Sequence, residues 1–188
     1  MMKIILAICF SIVLLQIAVT EDPCVIGNGK YLKENKEFDI YKFFGTYYVL
    51  YLFRKDFISQ HGCWIDNYFV SGHDTVHTTE AYNVSSKKRI QFYGNVTFQG
   101  RYMYKEFPTW TDLTTNFTVI ANCPEYQFAI FGGCPNATDH KPLIWIGFRN
   151  PNPPEKEVDA AKMMLKDNGL DFADFGKACE DEAQYSFN

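Results

Sequence analysis

The fold is decided by residues 37–50, which read EFDIYKFFGTYYVL. A turn-like Phe-Asp pair and a short amphipathic piece lead to Gly45, and a β-branched and aromatic run follows at once. A glycine at that point allows another piece of backbone to pack closely against the first turn of a strand. The stretch therefore predicts a strand that begins at Gly45 and is tightly packed at its start.

Strand-length runs continue as far as residue 148, and turn clusters such as Ser-Gly, Gln-Gly, Cys-Pro and Gly-Gly separate them. The predicted strands are 45–53, 63–70, 75–84, 89–98, 102–107, 116–120, 127–131 and 143–148. Eight short strands at this spacing are typical of an all-β, up-and-down antiparallel barrel, with a sandwich as the alternative.

The tail changes period after Pro-Asn-Pro-Pro at 151–154. Pro154 suits a first helical turn, acidic residues follow it, and Gly169 suits the C-terminal stop. The apolar residues that recur at helical spacing are Val158, Ala161, Met164 and Leu165. This pattern predicts an amphipathic helix that packs against one side of the barrel.

Two segments resemble motifs of the lipocalin family, and the likeness spans about residues 24–180. The positions that match the first lipocalin motif are Phe38, Asp39, Lys42, Gly45 and Tyr48, and Tyr47 stands where the family has Trp. The run IWIGFRNP at 144–151, followed by a helix and Asn-Gly-Leu-Asp, is similar to the end of apolipoprotein D-like lipocalins. The middle motif departs from the family, because ANCPEY at 121–126 replaces Thr-Asp-Tyr.

The resemblance implies an eight-stranded up-and-down antiparallel lipocalin barrel with a C-terminal α-helix packed outside. It also implies how one end of the barrel is closed. In the family, an arginine after the last strand packs over the aromatic residue of the first strand. Arg149 over Tyr47, beside Gly45, is the equivalent expected here, as a cation–π contact of about 0.5–2 kcal/mol.

The first twenty residues read as a secretory signal peptide. Lys3 precedes an apolar run over 4–19, and Ala-Val-Thr at 18–20 ends it before two acidic residues. The run is shorter than the roughly 20 residues that a spanning helix needs. We therefore expect a secreted, extracellular protein with no membrane span, in which 1–20 is the leader and 21–188 is a single lipocalin domain.

The chain has 18 basic and 22 acidic side chains, a net charge of −4, which argues against nucleic acid as a partner. Aromatic residues make up 17% of the chain, enough for the walls of a large apolar cavity or for a solid aromatic core. Four N-glycosylation sequons, at Asn83, Asn95, Asn116 and Asn136, predict a glycoprotein.

Five cysteines remain once Cys9 leaves with the leader, and in an oxidising compartment they are expected to form disulfides. Their number alone leaves the pairing open, and no Cys or His spacing suggests a metal site. The resemblance to insect bilin-binding protein implies the pairs Cys24–Cys134 and Cys63–Cys179. Cys123 is then left over, as a quiet thiol or as the link of a disulfide-bonded dimer; a Cys24–Cys123 pair would leave Cys134 free instead.

The residues expected to line the interior follow from strand alternation. Cys63 is taken to face outward towards the tail, and the sequons Asn83, Asn95 and Asn116 are taken to mark outer faces. For the seventh strand, the resemblance to the family implies which residues face inward, namely Ala129 and Phe131. The predicted ligand-binding residues are Tyr51, Phe53, Trp64, Asp66, Tyr68, Glu80, Tyr82, Phe92, Phe117, Ala129, Phe131, Leu143 and Trp145.

Two carboxylates fall in this aromatic lining, and a buried carboxylate is costly unless it is paired. Asp66 either lies at a wet mouth, pairs with a nearby Lys, or meets a cationic ligand. Haem is not favoured: the third-strand position that some insect lipocalins use for iron holds Tyr82, and His77 is expected to face outward.

No nucleophile motif, metal-spaced His pair or phosphate loop is present, so we do not expect an enzyme. The favoured hypothesis is a carrier that takes a small hydrophobic molecule into the barrel, such as biliverdin or another pigment, a retinoid, a sterol or a fatty acid. The alternative is a secreted effector that sequesters biogenic amines through Asp66 or binds a host protein through its surface. A barrel filled by its own side chains is also compatible with the pattern.

Overall fold

The computed structural model describes residues 38–53, 60–179 and residue 185. Residues 1–20, predicted to be the signal peptide, lie outside the described residues. The strands are β1 Gly45–Phe53, β2 His61–Ser71, β3 Asp74–Asn83, β4 Lys88–Gln99, β5 Tyr102–Glu106, β6 Thr115–Asn122, β7 Phe128–Gly133, β8 Leu143–Phe148 and β9 Phe175–Lys177. The helices are α1 Ile40–Phe43 and α2 Glu155–Asp167.

The first eight strands form one closed antiparallel sheet. Each strand pairs with the next in the chain, and β1 closes the barrel by pairing with both β2 and β8. The predicted up-and-down barrel of eight antiparallel strands is confirmed, and the sandwich is excluded. The sequence did not predict β9, which pairs with Tyr51–Phe53 of β1 where β2 no longer does.

A bulge in β1 corrects the predicted orientation of its second half. Val49 pairs with Gly147 and Tyr51 pairs with Ile146, so Leu50 is an extra residue in the ladder. Tyr47, Val49 and Leu52 therefore lie in the interior cluster. Tyr51 and Phe53, predicted to face inward, pack on the outside of the barrel with α2 and the tail. That part of the prediction is wrong because strict alternation assumes an unbroken ladder.

In strand β3, the inward-facing and outward-facing side chains are also the reverse of those predicted. Ala81 lies in the interior, whereas Tyr82 packs outside beside the Cys63–Cys179 bridge, and Glu80 faces outward between Gln91 and Arg89. The error came from treating Asn83 as a marker of the outer face. Asn83 is the last residue of the strand, where a side chain at the rim of the barrel reaches solvent from either face.

Helix α2 confirms the predicted helix. Glu155 and Glu157 lie in its first turn, and Gly169 follows its end with a left-handed φ of 74° that favours glycine. Ala161 and Leu165 are buried against the outer side of the barrel, in a cluster with Ile130 and Ile146 of β7 and β8. No helix in the described part of the chain is long and apolar enough to cross a membrane.

The disulfide Cys63–Cys179, which the resemblance implied, is present and ties β2 to the tail. Cys134 is disulfide-bonded as well, and Cys24, its predicted partner, lies outside the described residues. Cys123 has a free thiol and is half-buried beside the outer cluster. Among the cysteines that the structure describes, Cys123 is thus the leftover residue, as predicted.

Candidate ligand site in the barrel interior

The closed end of the barrel is plugged by α1 and sealed by one arginine. Asp39 caps α1 by accepting from the backbone N–H groups of Tyr41 and Lys42, which directs Phe43 into the interior. The Phe43 ring lies 4.9 Å from the Tyr68 ring and 5.3 Å from the Tyr47 ring, measured between centroids. The plug leaves these three rings fully buried.

Arg149 holds this end together through five hydrogen bonds. Its guanidinium donates to the carbonyl oxygens of Lys42, Phe43, Phe44, Thr46 and Tyr126. Its Cζ lies 3.8 Å from the centre of the Tyr47 ring. A Cβ at Gly45, whose φ is 110°, would lie 2.9 Å from Arg149 Nη1. The arrangement expected of Gly45, Tyr47 and Arg149 is therefore present.

A polar group lies in the middle of the barrel, among the aromatic rings. Asp66 Oδ1 accepts from Thr79 Oγ1 at 2.7 Å and lies 3.1 Å from His77 Nε2. His77 Nε2 is also 2.9 Å from Thr79 Oγ1, an arrangement satisfied when Nε2 carries the imidazole proton. The His77 ring stacks on the Tyr68 ring at 4.4 Å. The expectation that His77 faces outward is wrong, because the parity of β3 was inverted.

Lys105 brings a second charge into the same space. Its side chain is 1% exposed, and Nζ donates to Tyr68 Oη at 2.6 Å. Nζ also lies 4.5 Å from the ring centre of Phe117, 5.1 Å from that of Phe131 and 5.5 Å from that of Trp145. The ammonium group is thus held in a cage of aromatic faces, which attract a cation electrostatically.

The charges of this polar centre, defined as Asp66, His77, Thr79 and Lys105, balance at neutral pH. Burial lowers the pKa of His77 to about 4, and Lys105 adds to that shift, so the imidazole is neutral. Burial lowers the pKa of Lys105 to about 8, partly offset by the Asp66 carboxylate. Burial opposes the ionisation of Asp66, but the charges and hydrogen bonds of His77, Lys105 and Thr79 outweigh it and hold the pKa of Asp66 below its usual value.

Several polar atoms of this interior lack a hydrogen-bond partner or use only part of their hydrogen-bonding capacity. Within the described residues, Asp66 Oδ2, His77 Nδ1 and Trp145 Nε1 are buried without a hydrogen-bond partner. The Lys105 ammonium has three N–H donors, and one of them is used by Tyr68. Unpaired buried polar groups cost about 1–3 kcal/mol each, and water or a bound molecule would satisfy them.

The open end of the barrel is covered by a second aromatic group. Trp110, on the connection between β5 and β6, is half-buried and lies 4.5 Å from Phe92 and 6.0 Å from Trp64, between ring centres. His61 packs 5.5 Å from Trp110. The chain has three tryptophans, and all three lie in the part of the interior next to the open end or pack against it; this part is called the upper part of the barrel.

Most of the predicted lining residues do lie in the interior cluster or the polar centre. Those placed inside are Trp64, Asp66, Tyr68, Phe92, Phe117, Ala129, Phe131, Leu143 and Trp145. Those placed outside are Tyr51, Phe53, Glu80 and Tyr82. Tyr82 therefore does not present its hydroxyl to the interior, which removes the position considered for haem iron.

Lys105 was not predicted to lie in the interior, although it is fully buried there. In Tyr-Met-Tyr-Lys-Glu at 102–106, the two tyrosines are the natural candidates for an inward face. The structure places Met103 and Lys105 inside and leaves Tyr102 and Tyr104 exposed. The signal that was available is Phe107, which shares the parity of Lys105 and is buried beside His77.

No sequence-family profile matches the chain, and no curated protein matches it. Solved structures do match. The cockroach allergen Per a 4 superposes with a TM-score of 0.66 at 16% identity, over 79% of this chain and 92% of the allergen. Insecticyanin of the tobacco hornworm Manduca sexta gives 0.64 at 15% identity, over 80% and 85%. The tryptamine complex of the amine binding protein of Rhodnius prolixus gives 0.56 at 13%, over 72% and 77%.

These neighbours define the class of the barrel. They are lipocalins, and their overall superposition agrees with the closed eight-stranded sheet and the outer helix described above. The chain has the lipocalin fold, as its first and last motifs predicted. At 13–16% identity, the likeness establishes this fold alone.

Proposed function

We propose that this chain is a secreted carrier that binds a small hydrophobic molecule in the upper part of its barrel, with an oxygen acceptor of that molecule bound by Lys105. The observation that supports this most directly is the Lys105 ammonium group, buried among Phe117, Phe131 and Trp145 with donors to spare. A carboxylate or carbonyl oxygen satisfies such a donor, and Trp145 Nε1 is a second donor nearby.

The aromatic wall supplies most of the binding free energy. Apolar surface removed from water contributes about 25 cal/mol per Å², so a ligand that covers about 200 Å² of wall gains about 5 kcal/mol before ordering costs. The polar centre adds orientation and selectivity. A fatty acid, a retinoid or a bilin, each with an apolar body and an oxygen-bearing end, matches this division of roles.

The ligand enters past Trp110. This side chain is half-buried at the open end, whereas Trp64 and Trp145 beneath it are almost fully buried. Trp110 contacts Phe92 and Trp64, and a ligand that displaces Trp110 packs on these same two rings. We therefore expect Trp110→Ala to speed both association and dissociation.

Intrinsic tryptophan fluorescence provides the test, because all three tryptophans border the proposed site. Retinoic acid and retinol share an apolar body and differ in the acidic end, so they form a matched pair. Wild type is expected to bind retinoic acid at least 10-fold more tightly, and Lys105→Met to remove that preference. Lys162→Met, which removes an exposed cation, serves as the matched control. Equal affinities for the two ligands in wild type would contradict the proposed role of Lys105.

Native mass spectrometry of the secreted protein, with an absorption spectrum of the same sample, tests the carrier function without a chosen ligand. A stoichiometric added mass would support it, and visible absorbance would identify the ligand as a pigment. Secretion itself is supported by the leader-like N-terminus and by the Cys63–Cys179 disulfide, which suits an oxidising compartment.

Amine sequestration is the second candidate, and one observation favours it. Asp66 Oδ2 is buried without a partner among the described residues, and a cationic amine is a ligand that a carboxylate prefers. Against it, the neighbouring cage is already occupied by the chain's own ammonium group. Tryptamine binding that is lost in Asp66→Asn and strengthened in Lys105→Met would favour this function over the carrier of an anionic ligand.

A further inference from the structure

The outer face of β4, β5 and β6 carries exposed tyrosines between two N-glycosylation sequons. Tyr93, Tyr102 and Tyr104 keep 59%, 51% and 44% of their surface exposed. Asn95 and Asn116 are exposed on the same face. Large aromatic side chains grouped on one face of a barrel indicate a surface that another group covers.

The strand register places the sequons directly beside the tyrosines of β5. Tyr104 pairs with Asn116 on one side and with Thr97 on the other, and Tyr102 pairs with Thr118. Directly opposed residues have Cβ atoms about 4.5–5.5 Å apart. The acceptor asparagine and the threonine of the Asn116 sequon therefore lie opposite Tyr104 and Tyr102.

The other sequon reaches Tyr104 along a diagonal. Asn95 pairs with Glu106, two residues from Tyr104 on the same face, which corresponds to about 7–8 Å. Tyr93 shares the strand of Asn95, but its hydroxyl donates to Gln91 at 2.7 Å. The ring therefore leans along the strand towards Gln91, away from Asn95. Tyr104 is thus the aromatic ring that both sequons can reach.

We propose that N-linked glycans on Asn95 and Asn116 pack their first sugar rings on Tyr104 and Tyr102 and thereby cover this face of the barrel. The polarised C–H groups of a pyranose ring suit the negative face of an aromatic ring, and its hydroxyls remain in water. This proposal rests on the proposed secretion, because a chain encounters the oligosaccharide donor when it enters the secretory route. It is independent of the ligand proposed for the interior.

The covalent step is an ordinary glycosyl transfer. The side-chain amide nitrogen of the asparagine attacks the anomeric carbon of an oligosaccharide carried on a lipid pyrophosphate. The new C–N bond replaces the C–O bond to the pyrophosphate, which leaves with its electron pair, and the amide nitrogen loses one proton. No oxidant or reductant takes part.

The test begins with glycopeptide mapping of the full chain secreted from eukaryotic cells. Asn95 and Asn116 are expected to be occupied. Asn116→Gln is expected to lower the melting temperature by about 2–4 °C in wild type and by much less in a Tyr104→Ser background. Asn136→Gln, which removes an exposed sequon outside this face, and Tyr41→Ser, which removes an exposed tyrosine at the closed end, are the matched controls.

A second measurement uses the wild-type sequence alone. Trimming with an endoglycosidase that leaves one N-acetylglucosamine is expected to keep the melting temperature, because the first sugar makes the contact, and an unglycosylated chain is expected to lose it. Unoccupied Asn95 and Asn116 would overturn the proposal. Occupied sites with the same loss in the Tyr104→Ser background would also overturn it, as would an unglycosylated face buried in a dimer.

Discussion

Arg149, a half-buried cation at the closed end, and Lys105, a fully buried cation in the middle of the barrel, have opposite hydrogen-bonding environments. Arg149 at the closed end donates five hydrogen bonds to backbone carbonyls and packs on Tyr47. Lys105 in the middle donates to one hydroxyl and is otherwise surrounded by aromatic faces. Both depart from the preference of charged groups for water, but Arg149 recovers far more hydrogen bonding than Lys105 does.

The difference separates a cation that maintains the fold from one that is available to a ligand. Removing Arg149 leaves five carbonyl oxygens without that donor, so its loss affects stability. Replacing Lys105 with an apolar side chain of similar size leaves the Tyr68 hydroxyl without that donor and the buried Asp66 carboxylate without its balancing charge. Its loss therefore changes the charge and pH dependence of the interior as well as stability.

Arg149→Met is the change with the largest expected effect. We expect the free energy of unfolding to fall by about 3–5 kcal/mol, because the closed end loses all five hydrogen bonds and the contact with Tyr47. Urea denaturation measures this. Arg149→Lys restores the charge without the planar fork and is expected to recover less than half of the loss. A loss below about 1 kcal/mol would contradict the structural role given to Arg149.

Stability is expected to depend on pH above 8 through Lys105. The pKa of Lys105 is about 8 in the folded chain and near 10.5 when unfolded, so the unfolded state binds more protons between these values. Stability therefore rises from pH 8 towards 10, by up to about 3 kcal/mol. Above pH 10 the raised pKa of Tyr68 acts in the opposite direction.

Urea denaturation of wild type and Lys105→Met at several pH values checks this expectation. The variant should lack the rise between pH 8 and 10, while Lys162→Met should keep it. A rise of equal size in Lys105→Met would assign the pH dependence to other groups and remove the special status of Lys105.

Gly45→Ala tests the close packing at the closed end. We expect a loss of about 2–3 kcal/mol, because a φ of 110° strains an L-residue and the new methyl group would meet Arg149 Nη1 at 2.9 Å. Gly72→Ala is the matched control: its φ is 65°, and no atom lies within 4 Å of the added Cβ. Thermal unfolding of both variants separates the two effects, and equal losses would show that Arg149 does not restrict this position.

The smallest expected effect is a change in the titration of His77. Burial and the Lys105 charge hold its pKa at about 4, so folded His77 stays neutral while unfolded His77 gains a proton as the pH falls below 6.5. Stability is therefore lost from pH 6.5 towards 4. In Lys105→Met the pKa of His77 should rise, because the neighbouring positive charge is gone, and NMR of the imidazole measures it. An unchanged pKa would indicate that Lys105 does not act on this ring.

The sequence predicted the fold and the closed end because both depend on local, strongly patterned residues. Gly45, Tyr47 and Arg149 lie in two recognisable motifs, and the strands are separated by clear turns. The interior was predicted less well because its composition depends on strand parity. The bulge at Leu50 inverted Tyr51 and Phe53, and a sequon at the rim inverted Glu80 and Tyr82.

The polar centre could not be predicted from the sequence for a further reason. Asp66 was identified as a buried carboxylate, but its partners come from two other strands, β3 and β5. A lysine flanked by tyrosines and a glutamate is the pattern of an exposed residue, and among its neighbours only Phe107, two residues further on, indicates an inward face. Only the closure of the barrel brings Lys105 of β5 to Tyr68 of β2 and Phe117 of β6.

The most direct test of the ligand-binding cation is the pH dependence of affinity for a carboxylate ligand. Retinoic acid and retinol are titrated into wild type and Lys105→Met between pH 7 and 9.5, with tryptophan fluorescence as the readout. We predict that the Kd for retinoic acid in wild type increases about 10-fold above pH 8, as Lys105 loses its proton, while the Kd for retinol stays constant. A Kd for retinoic acid that is flat across this range, or one that changes equally in Lys105→Met, would contradict the account.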